Sequence, residues 1–355
     1  MKIKRITAFI EDLELTKPYE IAFTITDSVQ NAFVQIELSN GILGLGAASP
    51  SEHVLQETIE DLTTNLTADH LQQWEGRDIR EFRQIISEVK TAFPKHSATQ
   101  TALDIALHDA FGKYLQIPIV QFYGQKIKAL PTSVTIGICD VSTTLVEAKN
   151  YWENGFRILK VKTGKSVAED VERCVKIKER YGAEMKIRVD ANQGYSTEDT
   201  IQFHQQSKHL DIELIEQPMP VGTEAQMRTL PEEIRKKLAC DESLKNANSA
   251  IQLVQPPKVG GIFNIKLMKC GGLLGAFEIA TIAQAANIDL FWGCFDESII
   301  SISAALHAAL ACPHTKYLDL DGSLYLGRDL VKGGFIIENG VMRPLDKPGF
   351  GFEFL

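Results

Sequence analysis

Residues 158–164 read ILKVKTG. The run is apolar apart from two lysines, and a strand through it puts Lys160 and Lys162 on one face, because side chains alternate with period two. Desolvating one ammonium is costly, so two on a single strand face demand compensating chemistry nearby. Further short apolar runs lie on both sides, and each closes on a polar or reactive residue: SVTIGI, MKIRVDAN, IELIEQP, KLACDES, FNIKLMKCGG, IDLFWGCFDES and YLDLDGS. With Thr135, Lys162, Asp190, Glu216, Asp241, Lys266, Cys294 and Asp319 as markers, the gaps are 27, 28, 26, 25, 25, 28 and 25 residues. Helix-like stretches such as SVAEDVERCVKIKERYG separate most of these runs. Eight strands alternating with helices predict an α/β chain closed into a (β/α)8-type barrel, with its active site at the carboxyl ends of the strands.

The first 125 or so residues have a different texture, that of a small α+β unit. KIKRITAFIEDLEL and NAFVQIELSN read as strands, with a turn at Asn40-Gly41, and SATQTALDIALHDAFGKYL carries apolar residues at helical spacing. Asp104, His108 and Asp109 in that helix are expected on its flank or in structural hydrogen bonds. GLGAAS (44–49) lacks the third glycine of a dinucleotide fingerprint, so a turn and close packing explain it better.

A net charge of −9 disfavours nucleic acid and anionic membranes as partners, and the longest basic run is only Arg235-Lys236-Lys237. Six scattered cysteines show no zinc spacing. No segment reaches the roughly 18–20 apolar residues of a membrane span, and the N-terminus lacks a secretory pattern. A reduced, cytoplasmic protein is expected, with a homo-oligomer left open.

Three successive strands end in Asp190, Glu216 and Asp241. Carboxylates converging on one barrel mouth repel unless a cation lies among them, and hard oxygen ligands point to one Mg²⁺, with Mn²⁺ as a substitute. The lysines flank this trio in sequence. Strands two and six face each other across an eight-stranded barrel, which suits removal of a proton from one face of a carbon and its return on the other. Lys162, nearer the end of its strand, is assigned to proton transfer together with Lys266, with Lys160 holding a substrate carboxylate or reinforcing positive potential. Spacing from Asp241 favours Lys266 over Lys269. Burial, like charge and the metal are expected to push the base's pKa down, against the opposing carboxylates. The implied chemistry is proton abstraction α to a carboxylate, with the metal stabilising the enediolate.

These motifs, KVK, VDAN, IEQP, CDES and IKLMKCGG in that order, resemble the enolase superfamily, specifically its muconate-lactonizing-enzyme subgroup. The resemblance implies a modified (β/α)7β barrel over 125–326. It also implies an α+β capping domain over 1–124, completed by the tail 327–355, and a mobile loop, KPYEIAFTITDS, that closes over the substrate. LDLDG (318–322) resembles the dipeptide epimerases, whose D-x-D binds the free α-amino group, here through Asp319 and Asp321. Members acting on Ala-Glu carry an arginine in the capping loop where this chain has Thr24, so a small or apolar second residue, as in Ala-Ala or Ala-Val, is expected. Ile21, Phe23, Thr24 and Ile25 would wall that residue. Thr135, Cys294, Phe295 and Asp296 would contact the peptide, and Glu297 would steady Lys266 electrostatically. Other reactions of the same scaffold, namely N-acylamino-acid racemase, o-succinylbenzoate synthase and cycloisomerase, are the alternatives, ahead of a non-enzymatic metal and peptide binder.

Overall fold

Lys160 and Lys162 lie on the strand Ile158–Lys162, whose alternate residues Leu159 and Val161 join Val171, Cys174 and Ile177 of the helix Val167–Tyr181 in one apolar cluster. Period-two alternation thus sends the apolar side chains outward under the helices and the lysines inward. In this computed structural model the described residues are 1–16, 19–21, 24–26 and 29–355. The short paired strands Tyr19–Ile21 and Thr24–Thr26 are described by their backbone alone.

Eight parallel strands follow one another in sequence order: Val134–Ile136, Ile158–Lys162, Lys186–Asp190, Ile215–Glu216, Leu238–Cys240, Ile262–Ile265, Asp289–Trp292 and Thr315–Leu318. A parallel bridge between Thr132 and Leu318, with the Ser133 N–H donating to Leu318 O at 3.0 Å, closes the eighth strand onto the first. Helices cross over between strands. After the eighth strand the described residues include no α-helix, only the 3₁₀ turn Gly322–Tyr325 and then short strands, so the barrel is of the (β/α)7β form. Ser166, Ser196 and Asn246 start their helices by accepting from the backbone N–H three residues on. Below the site the barrel is plugged by Leu214, Ala239, Ile262 and Phe291, with Arg188 stacked on Phe291 and Tyr317.

The N-terminal unit is an antiparallel sheet of Ile3–Asp12, Gln30–Leu38 and Leu43–Ala48, backed by the helix Ser97–Leu115. GLGAAS lies on the third strand, against that helix. A Cβ on Gly46 would fall 1.9 Å from the Ala102 carbonyl oxygen, so the glycine is there for close approach. Gly46→Ala is expected to cost about 1–3 kcal/mol of stability by overpacking, read as a lower midpoint in urea unfolding. An unchanged midpoint would show that the helix gives way freely. The polar residues of the helix dock it: Asp104 accepts from the Leu273 N–H at 2.8 Å, and Asp109 from Leu45 at 2.9 Å and Phe350 at 3.1 Å. His108 lies between Asp104 and Tyr123, its Nε2 2.7 Å from the Tyr123 hydroxyl.

The C-terminal strands Val331–Gly333 and Phe352–Phe354 pair with each other, and Val341–Pro344 pairs with Phe335–Glu338 and Leu130–Pro131. Gly349 bonds to Ile117 and Ile119 beyond the end of the long helix, so the tail reaches both units. Among the described residues no helix is long and apolar enough to cross a membrane.

Candidate active site

Asp190, Glu216 and Asp241 stand at the ends of three adjacent strands, all fully or almost fully buried. Each has one oxygen committed to the surrounding protein. Asp190 Oδ1 accepts from the Asn192 N–H at 2.9 Å, Glu216 Oε1 from the Asn264 carboxamide at 2.8 Å, and Asp241 Oδ1 from the Lys269 ammonium. The second oxygens face other lysines. Asp190 Oδ2 lies 2.8 Å from Lys162 Nζ and 3.2 Å from Lys160 Nζ, and Asp241 Oδ2 lies 2.8 Å from Lys266 Nζ. Glu216 Oε2 has Lys160 Nζ at 2.9 Å but out of hydrogen-bond alignment, which leaves it a buried oxygen without a hydrogen bond.

Among the described residues no three acidic, histidine or cysteine side chains already form a closed ligand set; ammonium groups stand between these carboxylates. The donor set nevertheless fits Mg²⁺: three hard oxygens, one from each carboxylate, the other three pinned, and one of the three lacking a hydrogen bond. Burial, and after it Asp190, push the Glu216 carboxyl up to about 8, a strain that a divalent cation relieves.

Lys162 and Lys266 both line a cavity of about 1240 Å³ at the barrel mouth. Gly293 leaves room for Lys266, since a Cβ there would fall 3.1 Å from its Cε. Lys269 lies one helical turn further on, on the short helix Leu267–Cys270, and turns beneath Asp241, donating to Asp241 O and Asn264 O as well. Burial pushes the Lys269 pKa down, whereas at Lys266 burial is outweighed by Asp241, Glu216 and Glu242 together and the pKa rises. At Lys160, burial is likewise outweighed, by Asp319, Glu216 and Asp190. Among the protein's own groups the carboxylates are together the stronger influence on Lys266, and the downward push expected of a bound cation would act against them.

Lys160 also lines the cavity, with its side chain almost wholly buried. Its ammonium is enclosed by three carboxylates, with Asp319 Oδ2 at 2.8 Å in addition to Asp190 and Glu216. It thereby joins the acidic trio to the D-x-D motif. Asp319 also accepts from the Ser133 hydroxyl at 2.6 Å. Asp321 Oδ2 accepts from the Thr135 N–H at 2.8 Å and the Tyr325 hydroxyl at 2.7 Å. Tyr151 donates to Thr135 O at 3.2 Å and to the Tyr325 hydroxyl at 3.4 Å. Burial, and then Asp319, push Asp321 up to about 6.

Thr135, Cys294, Phe295 and Asp296 line the same cavity. The Phe295 ring lies 5.0 Å from Lys266 Nζ, and the Cys294 thiol donates to Asp319 O at 3.2 Å. Burial and the neighbouring acids keep that thiol protonated. Glu297 is buried behind the wall, accepting from the Phe295 N–H at 2.8 Å, and burial pushes it up to about 8. Phe23 lies outside the described residues, and the side chains of Ile21, Thr24 and Ile25 lie outside the description as well. The N-terminal unit contributes Val29, Gln30 and the segment Ser49–Val54 to the wall. Sequence reasoning missed Asn192, Asn264, Glu242, Tyr151 and Tyr325. The two asparagines sit inside the strand-end motifs VDAN and FNIK, where a polar neighbour of a metal ligand is a usable signal.

The family model described as mandelate racemase / muconate lactonizing enzyme, N-terminal domain, matches residues 5–124, and that described as enolase C-terminal domain-like matches residues 144–355. The chain belongs to the enolase superfamily. It is 48% identical over 353 residues to the L-Lys-D/L-Arg epimerase of Desulforapulum autotrophicum, covering 99% of both chains. A hydrophobic dipeptide epimerase of Enterococcus faecalis is 30% identical, with 95% of each chain covered. Among solved structures, the dipeptide epimerase of Methylococcus capsulatus complexed with Mg and L-Arg-D-Lys superimposes with a TM-score of 0.98 at 47% identity, covering 100% of both chains.

Proposed function

We propose that this chain is a Mg²⁺-dependent dipeptide epimerase that inverts the α-carbon of the C-terminal residue and takes dipeptides with cationic side chains. The observation that carries the reaction is that Lys162, ending the second barrel strand, and Lys266, directly after the sixth, both line the cavity at the barrel mouth. One lysine removes the α-proton from one face, and the other returns a proton on the opposite face. Asp190, Glu216 and Asp241 would hold Mg²⁺, which when bound stabilises the negative charge that develops on the substrate carboxylate. Lys160 keeps Asp319 ionised, joins Lys162 in doing so for Asp190, and adds positive potential beneath the substrate. Asp321, oriented by Tyr325 and the Thr135 N–H, receives the α-ammonium through its remaining oxygen.

The cationic preference has two supports: the activity named for relatives at 48% identity, and the charge of the wall. Glu52, Glu147 and Asp296 line the cavity in addition to the D-x-D acids, and no arginine does among the described residues. The small apolar second residue expected from Thr24 gives way to this reading. A missing arginine removes a partner for glutamate without separating apolar from cationic side chains, and these acids come from other segments. In D₂O with Mg²⁺, L-Lys-L-Arg is expected to incorporate deuterium and invert at the second residue, with kcat/KM about tenfold to a hundredfold above L-Ala-L-Ala. Equal turnover of the two dipeptides would remove the cationic preference. Exchange of N-succinyl-L-arginine with no dipeptide reacting would overturn the epimerase reading.

The acidity of Asp321 gives a second expectation. Its carboxylate must be ionised to pair with an ammonium, and burial pushes its pKa up to about 6. Protonation below that value removes the pair, so KM for the dipeptide rises as pH falls from 7 to 5. Initial-rate kinetics across that range check it; a flat KM would exclude Asp321 from ammonium binding.

A further inference from the structure

Glu242 follows the third acid of the site and is itself buried, yet it lines the cavity. Its Oε1 accepts from the Asn192 carboxamide nitrogen at 3.4 Å, while Oε2 is buried without a hydrogen-bond partner. A polar group held in this way needs a reason to be there. Asn192 in turn faces Lys162: its Oδ1 accepts from Lys162 Nζ at 2.9 Å, beside Asp190 Oδ2 at 2.8 Å.

A neutral lysine amine has two N–H groups and one lone pair. With both N–H groups held by Asp190 Oδ2 and Asn192 Oδ1, the lone pair is left for the cavity that Lys162 lines. Half a turn of the carboxamide would exchange its oxygen and nitrogen, so that an amide N–H pointed at the amine and occupied the lone pair that takes the proton. The two orientations have nearly the same shape, and only hydrogen-bond partners choose between them. We infer that Glu242 is a positioning residue for Lys162: as an acceptor it holds the Asn192 nitrogen toward itself and the oxygen toward the lysine. The inference rests on the epimerase reading above and extends it to a residue that acts on Lys162 through Asn192.

The test uses the full chain with Mg²⁺ and follows α-proton exchange in D₂O on each dipeptide diastereomer separately. Lys266→Ala first identifies the diastereomer whose proton Lys162 removes, because exchange survives on that one alone. Glu242→Leu is expected to lower kcat for exchange of that diastereomer about tenfold to a hundredfold, with KM nearly unchanged and a much smaller loss on the other. Glu242→Gln retains an acceptor oxygen and should restore most of the loss. Asn192→Ala should show the same asymmetry, and adding Glu242→Leu to it should cost almost nothing more. Should Glu242→Leu not fold, Asn192→Ala decides the matter by whether it affects the Lys162 diastereomer selectively, and Glu242→Gln by whether it stays near wild type on both. Equal losses on both diastereomers, a loss carried by KM, or additivity of the two substitutions overturns the inference alone. Wild-type protein that exchanges no dipeptide overturns the functional reading, and this inference with it.

Discussion

Lys162→Ala and Lys266→Ala are each expected to abolish epimerisation, lowering kcat/KM by about a thousandfold or more, because each removes one of the two groups that must handle the proton. The losses should differ in kind. Each variant retains the lysine on one face and should still exchange the α-proton of one diastereomer, with no stereochemical inversion. The fold should tolerate both changes, since every acid involved keeps a second ammonium. Asp190 retains Lys160 at 3.2 Å when Lys162 is lost, and Asp241 retains Lys269 when Lys266 is lost. A normal thermal midpoint beside lost turnover would therefore place the defect in chemistry. Full epimerase activity in Lys266→Ala would shift the role to Lys269. Geometry opposes that outcome, because Lys269 spends its donors on Asp241 and Asn264 O and is sealed from the cavity.

The barrel was legible because its reacting residues close its strands. A polar or reactive residue at each strand end, 25 to 28 residues after the last and in six of the eight an acid or lysine, marks both the fold and the site at once. What lay outside the reach of the sequence depends on packing between strands. The setting of Lys160 is made by acids from strands three, four and eight, and no local pattern shows that one ammonium reaches all of them. The choice between Lys266 and Lys269 turns on where the chain leaves the strand. The strand stops at Ile265, Lys266 caps a short helix, and one turn brings Lys269 back under Asp241. Tyr151 and Tyr325 sit on a crossover helix and a 3₁₀ turn with no motif around them, and only the fold brings both hydroxyls to Thr135 and Asp321. The second-residue preference was read from Thr24 alone, whereas Glu52, on a four-residue helix, and Asp296, beyond the seventh strand, add acids to the cavity wall from other segments.

Lys160→Met separates the two lysines of ILKVKTG by stability rather than by turnover. Methionine keeps much of the stem and removes the charge. Asp190 would still have Lys162, but Asp319 would be left with the Ser133 hydroxyl. Among the described residues Glu216 would have no ion-pair partner at all. Removing one member of a buried ionic cluster strands the others, at a cost of about 3–5 kcal/mol. In EDTA the unfolding midpoint of the variant should fall well below that of the wild type. Mg²⁺ should then restore a larger share of stability to the variant than it adds to the wild type, since a cation that binds only the folded chain stabilises it by mass action and offsets the same carboxylates. An unchanged midpoint in EDTA would mean that Lys160 does not balance these acids. A loss that Mg²⁺ leaves untouched would place its work at Asp319 instead, and a raised KM for the dipeptide would then accompany it. Lys162→Met, whose loss leaves Lys160 beside Asp190, should show neither the large destabilisation nor the enhanced response to Mg²⁺. The two lysines are thus distinguished by what each neighbouring acid retains when one of them is removed.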